Sequence, residues 1–170
     1  EIIDLFLTFN KTIPNSKLHI FGKLHNNKPV KHPNIFYYGM VGFEKMSEIY
    51  RIGDMFIHLA KNDACPKTVV EAIGVGMPVI TTEACGGASE MAQMTDGCIS
   101  CKGDPITMDA DYVYGDAWNV LPQILKTRIL KAMYQIADEK RRVVLPNELH
   151  IKTTAEKYIN VMRKCLKWNI

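Results

Sequence analysis

Three features of the sequence predict a doubly wound α/β fold, a parallel sheet with helices on both faces. Short apolar runs alternate along the chain with segments whose apolar residues recur at helical spacing. The runs are continuously apolar, as in strands covered on both sides. Several end at glycine or start at proline, where the chain turns between layers. With 170 residues and a mass of 19.3 kDa, the chain is expected to form a single domain.

The elements follow in order. Lys17 to Gly22 reads as a strand ended by glycine, and Ile35 to Gly39 repeats that form after a polar loop over Lys23 to Pro33. Glu44 to Ile52 reads as a helix, with Met46, Ile49 and Tyr50 on its apolar side and Gly53 as its stop. Asp54 to Leu59 is the next strand, Pro66 to Gly76 the next helix and Pro78 to Thr82 the strand after it. Gly87 to Met94 is a short helix and Gly97 to Cys101 a last strand. Residues 116–168 read as helical. Trp118, Leu121, Leu125, Ile129 and Met133 mark one long amphipathic helix, and Ala155, Tyr158, Ile159, Met162 and Leu166 mark a final one.

Composition narrows the function. Hydrophobic residues make up 47% and charged residues 23%, which excludes disordered and low-complexity classes. The most apolar stretch, Val69 to Thr82, contains Glu71 and Pro78 and falls short of the ~20 residues a bilayer core requires. Five cysteines suit a reducing, cytoplasmic compartment better than a disulfide scaffold. Cys98 and Cys101 have metal or redox spacing but no second pair, and read as small strand residues. The net charge of +3 is too small to point to nucleic acid. It is unevenly spread: residues 1–119 carry 10 basic and 14 acidic side chains, and residues 120–170 carry 11 and 4. The basic C-terminal part fits a solvated helix surface or a peripheral contact with anionic lipid or a phosphorylated partner.

In a parallel sheet the ligand crevice lies at the carboxyl ends of the strands, so function is sought just after Gly22, Gly39, Leu59 and Thr82. No GxGxxG and no GxxxxGK[ST] follows any strand. The segment from Asn62 to Ile80 is the most informative. It holds Asp63 in a loop, a helix entry at Pro66, Glu71 eight residues after Asp63, and Gly-Met-Pro leading into a strand. A helix start offers unpaired amides and about half a positive charge to an anion such as phosphate. Carboxylates do not bind phosphate, so Asp63 and Glu71 would accept hydrogen bonds from hydroxyls on either side of it, as on sugars. The same residues admit a second reading, because Thr68-x-x-Glu71 has the spacing of a capping box that serves only the helix. Gly86 and Gly87 let backbone approach a ligand, or simply form a helix-entry turn. Asp109-Ala-Asp111 has the DxD form of some metal-dependent sugar transferases but falls in an irregular polar loop.

The ordered set Phe36-Tyr-Tyr-Gly39, Asp63-x7-Glu71, Glu71-Ala-Ile-Gly-Val-Gly-Met-Pro-Val-Ile80 and Gly86-Gly-Ala-Ser-Glu90 resembles the Rossmann-like, donor-binding C-terminal half of GT-B glycosyltransferases. It is most similar to the retaining clan called glycosyltransferase family four, over about Leu18 to Asp104. The resemblance implies transfer of a sugar from a UDP- or GDP-sugar to a polysaccharide, glycolipid or glycoprotein, without metal or further cofactor. It implies Asp63 and Glu71 as the carboxylates of the catalytic site: Glu71 on ribose hydroxyls, and Asp63, where Glu is more usual, on the transferred sugar. The amides of Lys67, Thr68 and Val69 would cradle the diphosphate, Gly39, Met40 and Val41 would contact the base, and the backbone of Gly86, Gly87 and Ala88 would line the sugar pocket. No side chain is implied as a nucleophile. The family's Arg and Lys on the diphosphate, and its N-terminal acceptor-binding domain, have no counterpart in residues 1–170, so an isolated, weakly active half is expected. The alternatives are a non-catalytic sugar-nucleotide-binding subunit and a sugar-nucleotide epimerase of the same fold.

Overall fold

The computed structural model describes residues 1–24, 28–60, 63, 65–103 and 121–167. Its order is α1 (Ile2–Thr12), β1 (Leu18–Phe21), β2 (Ile35–Gly39), α2 (Phe43–Ile52), β3 (Phe56–Ile57), α3 (Lys67–Gly74), β4 (Val79–Thr82), α4 (Gly87–Met94), β5 (Ile99–Cys101), α5 (Gln123–Glu139), a 3₁₀ turn (Asn147–Leu149) and α6 (Ile151–Lys167).

All strand pairs are parallel, as the continuous apolar runs predict. Among the described residues, they form two hydrogen-bonded sheets rather than one: β1 pairs with β2, and β3-β4-β5 form the other in sequential order. The expected strand over Asp54 to Leu59 contracts to two residues, although Phe56 and His58 still donate to the carbonyls of Pro78 and Ile80.

Strand β4 shows why its run is wholly apolar. Successive strand side chains point to opposite faces. Val79 accordingly packs with Val69, Ala72 and Ile73 of α3 and Tyr50 of α2, whereas Ile80 packs with Leu5 and Phe9 of α1 and with Leu125, Ile129 and Met133 of α5. Helices thus cover both faces of the three-stranded sheet.

Three corrections concern helices. Helix α1 was not expected, although Leu5, Phe6 and Phe9 have the i, i+1, i+4 pattern of an apolar stripe and all three are buried. It docks on α5, where the Phe9 and Tyr134 rings lie 5.0 Å apart and the Tyr134 hydroxyl donates to Thr12 Oγ1 at 3.1 Å. The expected helix through Leu121 starts only after Pro122, because a residue that precedes proline is driven out of helical geometry. Trp118, placed on that helix, and the Asp109–Asp111 pair lie outside the described residues. Helix α3 begins at Lys67 with Pro66 as its N-cap, not as its first helical residue.

Candidate functional site

The loop after β3 delivers Asp63. Its Oδ1 accepts the Cys65 N–H at 3.3 Å, a local turn that fixes the carboxyl beside the start of α3. Oδ2 stands 3.7 Å from His58 Nε2. The His58 side chain is 12% exposed and that of Asp63 40%, so the pair runs from interior to surface. Burial lowers the His58 pKa, opposed by the Asp63 charge, and Nε2 is buried with no hydrogen-bond partner among the described residues.

The loop after β4 meets Asp63 from the other side. Gly86 has φ +48°, and a Cβ there would stand 3.3 Å from the Asp63 carbonyl oxygen. Glycine is needed for both reasons: its backbone geometry disfavours a side chain, and the neighbouring strand's loop occupies the space. Ala88 is buried in the core with Cys85 and Val79, so from residue 88 only backbone remains to face a ligand.

Helix α3 starts without a side-chain cap. The capping-box reading of Thr68 and Glu71 therefore fails. With Pro66 as N-cap, Thr68 is the second helical residue and Glu71 the fifth, beyond the position from which a box closes. Val69 N–H returns to the Pro66 carbonyl at 3.0 Å, while its side chain is buried in the core. Lys67 is exposed at the same end. The Val69 amide is thereby satisfied, and the first turn combines the uncapped amides of Lys67 and Thr68 with a cation.

Glu71 lies on the exposed side of α3, and its Oε2 accepts the Tyr50 hydroxyl at 3.3 Å. Tyr50 also reaches the Thr68 carbonyl at 3.3 Å. Tyr50 and His58 both lie in apolar runs of the sequence, which predict core positions for them and no part in a site. The available signal was a polar atom carried on an apolar face, next to motif residues in space.

Gly39, Met40 and Val41 follow β2 as expected. Gly39 has φ +64° and accepts the Gly22 N–H at 2.9 Å, which joins the ends of β1 and β2. Met40 is 73% exposed. This loop is tied to the rest through α2, which it enters directly and whose Tyr50 reaches Glu71. The structure brings Asp63 to Gly86 and Glu71 to Tyr50.

The CxxC cysteines occupy strand positions. Cys98 Sγ accepts the Val79 N–H at 3.3 Å, and burial pushes both thiols up, Cys101 to about 11. That direction opposes the thiolate a redox or ligand cysteine presents. Among the described residues, no three His, Cys, Asp or Glu side chains converge as metal ligands, and no helix is long and apolar enough to cross a membrane.

A parallel α/β domain of this kind binds its ligands outside the carboxyl ends of its strands, where Asp63 and the Gly86 turn lie. The family model described as Glycosyl transferases group 1 matches residues 1–107, and the chain belongs to that family. No curated protein matches the chain as a relative.

Proposed function

We propose that the chain binds a nucleoside-diphosphate sugar, as the C-terminal, donor-binding half of a retaining, metal-independent GT-B enzyme of glycosyltransferase family four. The observation that carries this reading is the uncapped start of α3 between Asp63 and Glu71, with Asp63 backed by the glycine turn at Gly86.

In this reading the diphosphate lies on the amides of Lys67 and Thr68; the third amide expected from the sequence, that of Val69, already donates to the Pro66 carbonyl. Glu71 accepts from the ribose hydroxyls and Asp63 from hydroxyls of the sugar, while Gly39, Met40 and Val41 adjoin the base. The backbone of Gly86, Gly87 and Ala88 bounds the sugar. A carboxylate that accepts these hydroxyls favours the substrate over analogues that lack them, by the worth of the hydrogen bonds lost. Transfer breaks the bond from the anomeric carbon to the phosphate oxygen, and the electron pair leaves with the nucleoside diphosphate. The acceptor oxygen bonds to the same face of that carbon and gives its proton to the departing phosphate oxygen.

The leaving group carries roughly two to three negative charges, whereas a helix start offsets only about half a charge. Lys67 adds one. Preorganised donors each contribute about 10²–10³ in rate, so efficient transfer calls for cations beyond Lys67. Calorimetry with UDP- and GDP-sugars tests the reading: weak binding of one nucleotide class with little transfer is expected. Binding of neither class would refute the site. Steady turnover by these 170 residues would refute the need for those cations.

A further inference from the structure

We infer that Tyr50 is the positioning residue for Glu71, holding its carboxylate in the orientation that receives the ribose hydroxyls. The inference rests on the reading of Glu71 just given and deepens it by naming what sets the geometry of that subsite.

Glu71 is an exposed side chain on a helix, and such a glutamate ordinarily samples several rotamers. Here one oxygen is tethered. Tyr50 is 5% exposed, and its ring packs edge-on to Phe56 with centroids 6.1 Å apart, so the phenol is anchored in the core. Its hydroxyl reaches Glu71 Oε2 and the Thr68 carbonyl, each at 3.3 Å. A phenol has one proton to give, and both distances exceed the about 2.7–2.8 Å typical of an O–H···O bond, so the proton is divided between two acceptors. Burial first, and then the Glu71 charge, keep the phenol protonated and therefore a donor. Among the described residues, Glu71 Oε1 makes no hydrogen bond and remains open to a ligand. The tether also links the two ends of the subsite: Tyr50 belongs to α2, whose preceding loop holds Met40 and Val41, while Glu71 and Thr68 belong to α3.

A tyrosine that merely fills the core would need only the Thr68 carbonyl. The two roles separate in a ligand cycle. Affinities of UDP and GDP, and of their 2′,3′-dideoxy analogues, are measured by calorimetry for the 170-residue chain and its Tyr50→Phe, Glu71→Ala and doubly substituted forms, with melting temperature recorded for each. Phenylalanine keeps the ring packing. Tyr50→Phe is expected to weaken the ribonucleotide that binds by about 3- to 10-fold, the worth of one hydrogen bond. It should change the dideoxy analogue's affinity less than about 2-fold and have no added effect once Glu71 is alanine. Equal losses for ribonucleotide and dideoxy analogue, or no loss for either, would overturn the role of Tyr50 while leaving Glu71 in place. If Glu71→Ala itself costs nothing with the ribonucleotide, the ribose reading falls, and the positioning role with it.

Discussion

Helices α3 and α6 have the same kind of pattern in sequence and opposite surroundings in the fold. The apolar stripe of α3, Val69, Ala72 and Ile73, is entirely covered by Tyr50, Val79 and neighbouring side chains. The stripe of α6 is open: Tyr158 is 69% and Met162 62% exposed, and Ile151 and Val161 stand out as well. Periodicity therefore specifies a helix and the face that seeks cover, but not whether cover is found. The consequence reaches function. Because α3 is fixed, Glu71 on its outer side can be met by an anchored Tyr50, whereas the Lys152, Lys157, Arg163 and Lys164 side chains of α6 have no hydrogen-bonding or ion-pairing partner among the described residues.

The contrast can be broken most sharply at Ile73. Ile73→Ala should destabilise the chain by about 2–5 kcal/mol in denaturant unfolding, through lost burial and the cavity left behind. Met162→Ala, on the open stripe, should fall within about 0.5 kcal/mol of the parent. Near-equal effects would mean that α6 is covered in solution.

Next in size is Gly86→Ala. A side chain at φ +48° that meets the Asp63 carbonyl should cost about 1–3 kcal/mol of stability and, by shifting Asp63, weaken donor binding. Glu71→Ala isolates the outer side of α3. Nucleotide affinity should fall by about 1–3 kcal/mol with melting temperature nearly unchanged, since the residue caps nothing. A lower melting temperature with intact affinity would return Glu71 to a structural role.

The smallest effect concerns His58. Its pKa in the fold lies below the ordinary 6.5 because of burial. The unfolded chain therefore takes up the proton first as pH falls, and stability declines from about pH 6.5 down to the folded-state value. His19, lowered by burial and by Lys17, adds the same sign. The decisive quantity is the slope of stability against pH in parent and His58→Asn: the variant's should be shallower, and identical slopes would remove His58 as a contributor.

Much of the local geometry of the candidate site is legible in the sequence because its signals are local. The Asp63-x7-Glu71 spacing, the glycines at 86 and 87 and the proline-led strand after α3 each encode a turn or a helix end within a few residues. Tyr50 and His58 were not legible, since in sequence each is one more residue in an apolar run. Their polar atoms gain meaning only from the partner 21 residues away in one case and the Asp63 loop in the other. The capping-box reading of Thr68 and Glu71 shows the converse: the spacing was right, but the helix began at Lys67 and put both residues out of register for it.

The sequence by itself determined the parallel α/β class, nearly every strand and helix, and the loops where chemistry collects, because hydrophobic period and glycine or proline punctuation act over short range. Tertiary structure alone decided that the strands divide into two hydrogen-bonded sheets, that α1 covers one face of β4, and that Asp63 meets Gly86 while Glu71 meets Tyr50. Those outcomes depend on which surfaces exclude water together and which polar atoms are then left to satisfy one another, and residues distant in the chain settle both.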